Sequence, residues 1–154
     1  YATAYQLRIS HVGDSRVYLL RLNSDSWQCL TRDHNLLNDM VDEQARASGK
    51  QASFEDYNAE NMAGSLYSIT ECFVFASDDS SHAPDSSSQL LTVTAGDCVV
   101  VCSDGIHDLV PSHQWPLINE QTCLQDWLKH LKSQVYTSVG NAYDNGTAIV
   151  IRFE

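Results

Sequence analysis

The sequence is poor in basic residues and contains no long apolar run. Nine lysines and arginines stand against twenty aspartates and glutamates, which gives the 154-residue chain a formal net charge of -11. Such a charge opposes attraction to nucleic acid and to anionic membrane surfaces. No apolar stretch approaches the roughly 18 residues that a membrane-spanning helix needs. We therefore expect a protein that binds neither nucleic acid nor a membrane.

The cysteines show none of the spacings of a metal or disulfide framework. The five cysteines form no CxxC pair and have no histidine at zinc-site spacing, which argues against structural zinc. Cys98 and Cys102 lie four apart on one predicted strand, about 13 Å from each other at roughly 3.3 Å per residue, which is too far for a disulfide. We therefore expect reduced thiols and a cytoplasmic, reducing compartment.

Common catalytic signatures are missing as well. The sequence has no GxSxG elbow, no HExxH motif, no glycine-rich phosphate loop, and no cysteine followed closely by an arginine that could hold a phosphate. Catalysis through a nucleophilic side chain therefore has no support in the sequence. His107 and His113 are six residues apart, and we expect them to face solvent rather than to bind a metal.

Alternating apolar residues predict a set of short strands. A length of 154 residues and an apolar fraction of 43% suit a single domain with its own core. The turns at Gly13 and Gly96 favour two hairpins, one from the first and second strands and one from the fourth and fifth. The strand at 98–102 is apolar on both faces, which is typical of the middle of a covered sheet. The predicted strands cover residues 5–12, 17–22, 27–30, 90–93, 98–102 and 147–151.

Helical spacing predicts two longer helices. Apolar residues recur at this spacing over 36–45, and Gly49 follows where a left-handed cap is wanted. A capping box favours a second short helix that opens at Ser53, and the serine-rich stretch 77–88 is predicted to be an exposed loop. Strands flanked by helices favour a layered α+β fold. The apolar stripe of the other long helix consists of Leu124, Trp127, Leu128, Leu131 and Val135.

Four aspartates stand at the ends of predicted strands. Asp104 directly follows the buried strand, so we expect its carboxylate at the rim of the core, where an unpaired charge needs a cation or several hydrogen-bond donors. Gly105 lets the backbone turn close to a bound group. Asp144 directly precedes a strand, and carboxylates from two strands can share a hard cation such as Mg²⁺ or Mn²⁺. Asp14 and Asp108 complete the set, although each aspartate taken singly is also a common turn former.

Four motifs resemble one protein family, in the order in which that family carries them. They are His11-Val12-Gly13-Asp14-Ser15-Arg16-Val17-Tyr18, Leu30-Thr31-Arg32-Asp33-His34, Cys102-Ser103-Asp104-Gly105-Ile106-His107-Asp108 and Asp144-Asn145-Gly146-Thr147-Ala148-Ile149-Val150. Together they resemble the metal-dependent serine/threonine protein phosphatases, and the bacterial members most of all. The motifs extend over most of the chain, so the resemblance is specific.

The resemblance implies a fold, a cofactor and a reaction. The fold is an antiparallel β-sandwich flanked by helices, with two Mg²⁺ or Mn²⁺ ions at one end and in some members a third. The reaction is hydrolysis of phosphoserine and phosphothreonine in a phosphorylated protein by a metal-activated water, without a covalent enzyme intermediate. Two ions suit this chemistry because they offset charge on the transferring phosphoryl group.

The resemblance also assigns roles to single residues. Asp104 and Asp144 fall at ligands of the two principal ions, and Asp14 and Asp108 at ligands of the third ion. Residues 35–70 correspond to the flap beside the active site, where substrates are selected. This chain then carries no catalytic residue beyond the metal ligands. The supporting positions are Gly105, Asn145, Arg16, Asp33 and His34.

The sequence departs from the family in its first half. The family's acidic metal ligand, phosphate-binding arginine and Asp-Gly-His-Gly motif have no counterpart, so residues 1–154 are expected to be an incomplete, C-terminal portion of one domain. We expect the chain to be inactive alone and to need the N-terminal part of the domain as a partner. Two alternatives stay open, a pseudophosphatase that acts as a protein-binding scaffold and a binuclear hydrolase of a small phosphate ester.

Overall fold

Two β-sheets and four helices form the part of the chain that the computed structural model describes, residues 4–49, 63–72, 87–138 and 145–154. The strands are β1 (Ala4–His11), β2 (Arg16–Leu20), β3 (Gln28–Cys29), β4 (Ser87–Thr94), β5 (Cys98–Cys102) and β6 (Ala148–Arg152). The helices are α1 (Leu36–Ser48), α2 (Ala63–Leu66), α3 (Asp104–His107) and α4 (Leu124–Ser138), with a 3-10 turn at Ser112–Gln114. The predicted α+β class is confirmed.

The chain divides into two compact units. The first consists of Tyr1–Ser10, Ser15–Arg32 and Ser88–Glu154, and the second of His11–Asp14 and Asp33–Ser87. Both sheets and the helices α3 and α4 belong almost entirely to the first unit, and α1 and α2 belong to the second. No helix in the described ranges combines the length and the apolar character that a membrane crossing demands.

The larger sheet of the first unit has four strands in the order β3-β2-β5-β6, and all its pairs are antiparallel. The second sheet pairs β1 with β4. Between the two sheets lies a cluster of buried aliphatic side chains that consists of Ile9, Val17, Leu19, Val93 and Val99. Complete burial of each such side chain stabilises the fold by about 1.5–3 kcal/mol. These two facing sheets form the predicted β-sandwich.

The opposite face of the four-stranded sheet packs against α4. Trp127 and Leu131 of α4 are buried there, as the apolar stripe predicts. The rings of Trp27 and Trp115 pack against Trp127, and the carbonyl of Pro116 accepts hydrogen bonds from the indole N–H groups of Trp27 and Trp127. The helix therefore covers the face that the second sheet leaves open.

β5 is an interior strand, as predicted, and all of its residues except Val101 are buried. Val99 faces the second sheet, whereas Cys98, Val100 and Cys102 belong to the cluster under α4. Burial raises the pKa of the Cys98 thiol to about 11 and that of Cys102 to about 12. All five cysteines are free thiols in the structure.

Both predicted hairpins are wrong. β1 pairs with β4 and β2 with β5, so the turns at Gly13 and Gly96 carry the chain from one sheet to the other instead of returning it within a sheet. A tight turn between two apolar strands has the same sequence signature in either case. The short strand β3 does pair antiparallel with β2, as predicted.

Asp97 fixes the corner between β4 and β5. Its buried carboxylate accepts hydrogen bonds from the backbone N–H of Leu22 at 2.8 Å and of Thr94 at 3.0 Å, and from the Arg21 guanidinium at 2.8 Å. Burial alone would raise the pKa of Asp97, but the two N–H donors and the guanidinium outweigh burial and hold the pKa below its usual value. The charged carboxylate thus joins both sheets.

The second unit confirms the first predicted helix. The Asn35 side chain caps α1 by accepting from the N–H of Asn38 at 2.9 Å, and Gly49 ends it with a left-handed φ of 65°. Leu37 and Val41 of α1 pack against Leu66 of α2, a helix that the sequence did not predict. The short helix expected at Ser53 lies outside the described residues. So does most of the loop expected at 77–88, of which Ser87 and Ser88 belong to β4.

Replacing Asp97 by asparagine should destabilise the fold by about 2 kcal/mol, because hydrogen bonds to a charged group contribute about that much. In the variant, the amide NH₂ of asparagine would face one of the N–H donors that now bind a carboxylate oxygen. The contribution of Asp97 is complete above the unfolded-state pKa of about 3.9 and is lost as the pH falls through the lower folded-state pKa. Urea unfolding at pH 7 and along an acid series measures both effects.

The matched control is Asp25→Asn, at an exposed carboxylate near the same strands. Its stability should change by less than about 0.5 kcal/mol. Equal stability of Asp97→Asn and Asp25→Asn at pH 7 would contradict the role of Asp97 at the corner.

Candidate metal site

The end of β5 is tied to the residues that precede β6. The N–H of Ser103 donates to the carbonyl of Thr147 at 3.0 Å, and the N–H of Thr147 donates to the Ser103 hydroxyl at 3.1 Å. The same hydroxyl donates to the carbonyl of Asn145 at 3.3 Å. These bonds extend the β5 to β6 pairing past the strand ends, because Cys102 already pairs with Ala148. The segments 103–105 and 145–147 therefore lie side by side at one edge of the sheet.

The two segments approach each other so closely at residue 105 that only a glycine, which has no Cβ, fits there. A Cβ built on Gly105 would lie 2.9 Å from the carbonyl oxygen of Asn145 and 3.2 Å from the Cα of Gly146. Backbone atoms held by neighbouring strands cannot give way easily. The sequence attributed this glycine to a sharp turn, but its φ is not in the left-handed region. Its actual role in the fold is to admit the backbone of Asn145.

Asp104 lies at the start of α3, directly after this link. Its side chain is half-buried, and one carboxylate oxygen accepts from the N–H of Gly105 at 2.8 Å. The position at the beginning of a helical turn favours a negative charge. Asp104 thus lies at the rim of the core, where the sequence placed it, within one residue of the contact with Asn145.

Asp108 ends α3 and is exposed, with 67% of its side chain accessible. Its Oδ1 lies 2.9 Å from Nδ1 of His107. His107 is 5% exposed, so the expectation that it faces solvent is wrong. The reason is that α3 is a single turn whose Ile106 and His107 point inward under the sheet. His113 is exposed, as expected.

Asp14 belongs to the second unit, in a loop held by His34. The backbone of Gly13, which has a φ of 93°, donates its N–H to Nδ1 of His34 at 3.0 Å, and the N–H of His34 donates to the carbonyl of Gly13 at 2.9 Å. The His34 ring also stacks on His11 with ring centroids 4.8 Å apart. Because Nδ1 accepts a hydrogen bond, a neutral His34 carries its proton on Nε2. These contacts hold the loop that precedes Asp14.

Arg16 opens β2 in the first unit, opposite Cys102. Its side chain forms a hydrogen bond with the Tyr18 hydroxyl. Burial raises the pKa of Tyr18 to about 12 even though this bond and the guanidinium charge act in the other direction. Asp33, another of the predicted supporting residues, uses its backbone carbonyl to accept from the Asn38 side chain at 2.7 Å.

The predicted ligands are thus distributed over separate parts of the chain. Asp104 begins α3 and Asp108 follows its last residue, Asp14 lies in the second unit, and Asp144 lies outside the described residues. Over the ranges that the structure describes, no three His, Cys, Asp or Glu side chains are grouped to hold a metal ion. Asp104 offers carboxylate oxygens, the ligand type that Mg²⁺ and Mn²⁺ prefer.

Sequence reasoning missed Ser103 and Gly146, which carry much of this geometry. Ser103 stands inside one of the recognised motifs, but its link to Thr147 depends on the register between β5 and β6, which the sequence does not show. Gly146 contacts Ile106 and Gly105 for the same reason. One signal in the sequence could have indicated a close backbone approach: Gly105 shortly after the fifth predicted strand and Gly146 directly before the sixth.

The sequence matches no family model and no curated relative. The fold does match solved structures. It is similar to the S. agalactiae serine/threonine phosphatase with a TM-score of 0.70 and 24% sequence identity, covering 97% of this chain and 55% of that one. It is also similar to PppA of Pseudomonas aeruginosa, a key regulatory component of T6SS, with a TM-score of 0.62, 20% identity, and coverage of 96% and 52%.

A third neighbour carries metal. The catalytic domain of the serine/threonine phosphatase PstP, in complex with two manganese ions, matches with a TM-score of 0.59 and 21% identity, covering 94% of this chain and 52% of that one. PstP/Ppp is a Mycobacterium tuberculosis protein. The chain therefore spans about half the length of the phosphatases that it matches.

These similarities define the fold. The structural neighbours are bacterial serine/threonine phosphatases, as the four motifs predict, and the described architecture corresponds to part of such a phosphatase fold. The predicted sandwich with flanking helices is confirmed at this level.

Replacing Gly105 by alanine should destabilise the protein by about 2 kcal/mol, because the new methyl group meets fixed backbone atoms and overpacking costs about 1–3 kcal/mol. Gly146→Ala is the matched control. Its Cβ would lie 2.7 Å from Cδ1 at the end of the Ile106 side chain, and its nearest backbone atom, the Gly105 carbonyl oxygen, would be 3.2 Å away, farther than the 2.9 Å of the Gly105 variant. Thermal unfolding should rank Gly105→Ala clearly below Gly146→Ala, and the reverse order would contradict the backbone contact.

Replacing His34 by leucine should loosen the loop at Gly13, because leucine offers no acceptor in place of Nδ1. Loss of one hydrogen bond of about 1.4 kcal/mol corresponds to roughly tenfold faster amide exchange at Gly13. His34→Asn, whose Oδ1 can stand near the position of Nδ1, should retain most of the protection. Equal exchange rates at Gly13 in the leucine variant and the unchanged chain would show that His34 does not hold this loop.

Proposed function

We propose that this chain forms part of a metal-dependent protein serine/threonine phosphatase, which removes phosphate from phosphoserine and phosphothreonine in proteins. The observation that carries the proposal is the close approach of Ser103 and Gly105, the two neighbours of Asp104, to Asn145 at one rim of a phosphatase-like sandwich. Fold similarity alone does not define an activity, so the acidic residues at this rim provide the chemical argument.

Asp104 is the residue to which we assign a direct part in metal binding. Its side chain is half-buried, so it would attract a cation more strongly than a carboxylate in open water does. The hydrogen bond from the Ser103 hydroxyl to the Asn145 carbonyl fixes the backbone beside it. Asp144 directly precedes Asn145 in the chain, and we assign it to the same ions by its motif. Asp108 and Asp14 would serve a third ion. Bound Mg²⁺ or Mn²⁺ would supply positive charge against the transferring phosphoryl group.

The segment 35–70 would act as the flap that selects substrates. Its two ends are hydrogen-bonded to each other within the second unit, because Leu36 N–H donates to the Ser68 carbonyl at 3.1 Å and Thr70 N–H donates to the His34 carbonyl at 3.0 Å. The first and last residues of the segment are therefore neighbours in the structure. An insertion of this kind can vary in length and sequence without disturbing the sandwich.

The proposed activity, the net charge and the free cysteines indicate the partners and the compartment. The partner is a phosphorylated protein, and the net charge of -11 disfavours nucleic acid and anionic membrane as alternatives. Five free thiols suit a cytoplasmic, reducing compartment. A role in signalling would follow from the removal of phosphate from proteins. The 154 residues alone would be inactive, because the acidic ligands that they contain do not complete the coordination of two ions.

The activity test uses the full-length polypeptide that contains these residues, with Mn²⁺ and a phosphothreonine peptide. Asp104→Asn should lower kcat/KM by roughly 100-fold or more, since loss of one group that stabilises the transition state costs about 3 kcal/mol. The same substitution at Asp126, an exposed partner of Lys129 on α4, should leave kcat/KM within roughly twofold.

The other outcomes separate the alternatives. Phosphate release that chelators do not affect, or an Asp104→Asn variant as active as the Asp126→Asn control, would contradict the metal-dependent mechanism. A full-length protein that binds phosphopeptide without releasing phosphate would be a pseudophosphatase scaffold. Release from small phosphate esters but not from phosphopeptides would indicate the third class, a small-molecule hydrolase.

A further inference from the structure

The apolar stripe of α4 is only partly covered by the rest of the first unit. Leu128 and Val135 of α4 and Leu109, which lies shortly after α3, are half-buried, whereas Leu131 between the two α4 residues is 1% exposed. These half-buried side chains border a groove of about 470 Å³. Every described residue that lines the groove belongs to the first unit, so the groove lies within one compact unit. We call it the α4 groove.

The inner surface of the α4 groove is apolar. Ile106 and Leu131 line it although they are only 6% and 1% exposed, so they form its bottom. Gly146 lines it as well, and a Cβ on Gly146 would lie 2.7 Å from Cδ1 of Ile106, which shows that backbone and side chain are in direct contact there. Small-molecule sites are apolar cavities of about 300–1,000 Å³ with a few polar groups. The α4 groove has the size and the apolar surface of such a site.

Lys132 and Tyr136 place polar groups at the mouth of the α4 groove. Among the described residues that line it, Lys132 is the one that carries a charge. The two residues are four positions apart on α4 and therefore lie on the same side of the helix. The Lys132 ammonium lies 5.6 Å from the centroid of the Tyr136 ring, within the range of a cation–π contact. Both side chains are exposed, so a cation and a phenol hydroxyl stand where a ligand would enter.

We propose that the α4 groove binds a small amphipathic anion, a carboxylate with an extended apolar chain. The chain would lie over the apolar bottom of the groove, and the carboxylate would lie against Lys132. The groove adjoins the candidate metal site through Asn145, but neither Asp104 nor Asp108 lines it. The proposal concerns this groove alone and does not depend on phosphatase activity.

The length and the charge of the α4 groove favour this class of ligand. Leu128 and Val135 are seven residues apart, so the groove runs about 10 Å along α4 at about 1.5 Å per residue, which suits an extended chain. Lys132 lies between them and is complementary to one negative group. The net charge of -11 repels anions at long range. That repulsion is screened beyond about 8 Å at physiological salt, so the nearby cation decides the local preference.

A second copy of the chain is a less favoured occupant than a small molecule. Two copies that each carry a formal net charge of -11 repel each other as they approach. A single amphipathic anion carries one such charge and would meet Lys132 directly.

The test is calorimetric titration of the full-length polypeptide that contains these residues, with sodium decanoate as the probe below its micelle-forming concentration. We expect saturable binding of one decanoate. Octanoate, which is two methylenes shorter, should bind roughly tenfold more weakly, because each buried methylene contributes a factor of about four. In NMR spectra, decanoate should shift the methyl resonances of Ile106, Leu128 and Val135.

Lys132→Gln should weaken decanoate binding by roughly threefold to fivefold and leave the binding of octanol, which has no charge, unchanged. The matched control is Lys129→Gln, at an exposed lysine of the same helix that pairs with Asp126 and does not line the groove. It should bind both ligands as the unchanged protein does. Val135→Asp should weaken the binding of both ligands by roughly tenfold or more, because it places a charge on the apolar wall. Should this variant unfold, the methyl shifts in the unchanged protein still locate the ligand.

The proposal is overturned if decanoate does not bind saturably, if its methyl shifts fall outside the α4 groove, or if Lys132→Gln and Lys129→Gln bind it equally. An equal loss of octanol and decanoate binding in Lys132→Gln would also overturn it, since the lysine would then act by packing rather than by charge. A dimer that dissociates in Val135→Asp and that decanoate does not disrupt would assign the groove to a second copy and contradict the proposal. So would binding to vesicles of an anionic phospholipid without binding to monomeric decanoate.

Discussion

The link between Ser103 and the segment 145–147 is the contact on which the candidate site depends. Three hydrogen bonds join Ser103 to Asn145 and Thr147, and Gly105 lets the two backbones meet without a Cβ between them. Because β5 carries buried residues on both faces and β6 is packed by α4 on one face, the ends of these strands have little freedom. Asp104, which follows this link by one residue, is thereby kept at the rim of the core. The remaining features of the site are arranged around this edge.

The elements with a strong periodic pattern could be predicted from the sequence. Helix α1 has an Asn35 cap and a Gly49 end, and α4 has one apolar stripe, so local chemistry alone sets their positions. The interior position of β5 follows from an apolar run with no polar face. The hairpins could not be predicted, since the sequence of a turn does not state which sheet receives the next strand. Asp97, which holds that corner by side-chain hydrogen bonds to three residues of two other segments, illustrates why.

The sequence could predict which residues form the candidate site but not how they are arranged in space. The motif around Asp104 indicated a carboxylate at the end of a buried strand, and the structure has it there. The backbone approach between Gly105 and Asn145 depends on strand register, and the burial of His107 depends on the direction of a single helical turn. Neither is encoded in local spacing. The role of His34 as the acceptor for Gly13 likewise joins residues 21 positions apart.

We propose that the rim formed by Asp104 and the Asn145 segment binds a divalent cation. Paramagnetic broadening by Mn²⁺ in the amide spectrum of the 154-residue chain measures this binding without catalysis, because broadening falls steeply with distance from the ion. We expect selective broadening at residues 103–106 and 145–147, which Asp104→Asn abolishes. Broadening centred on another acidic surface, or broadening that persists unchanged in Asp104→Asn, would show that this rim does not bind the cation.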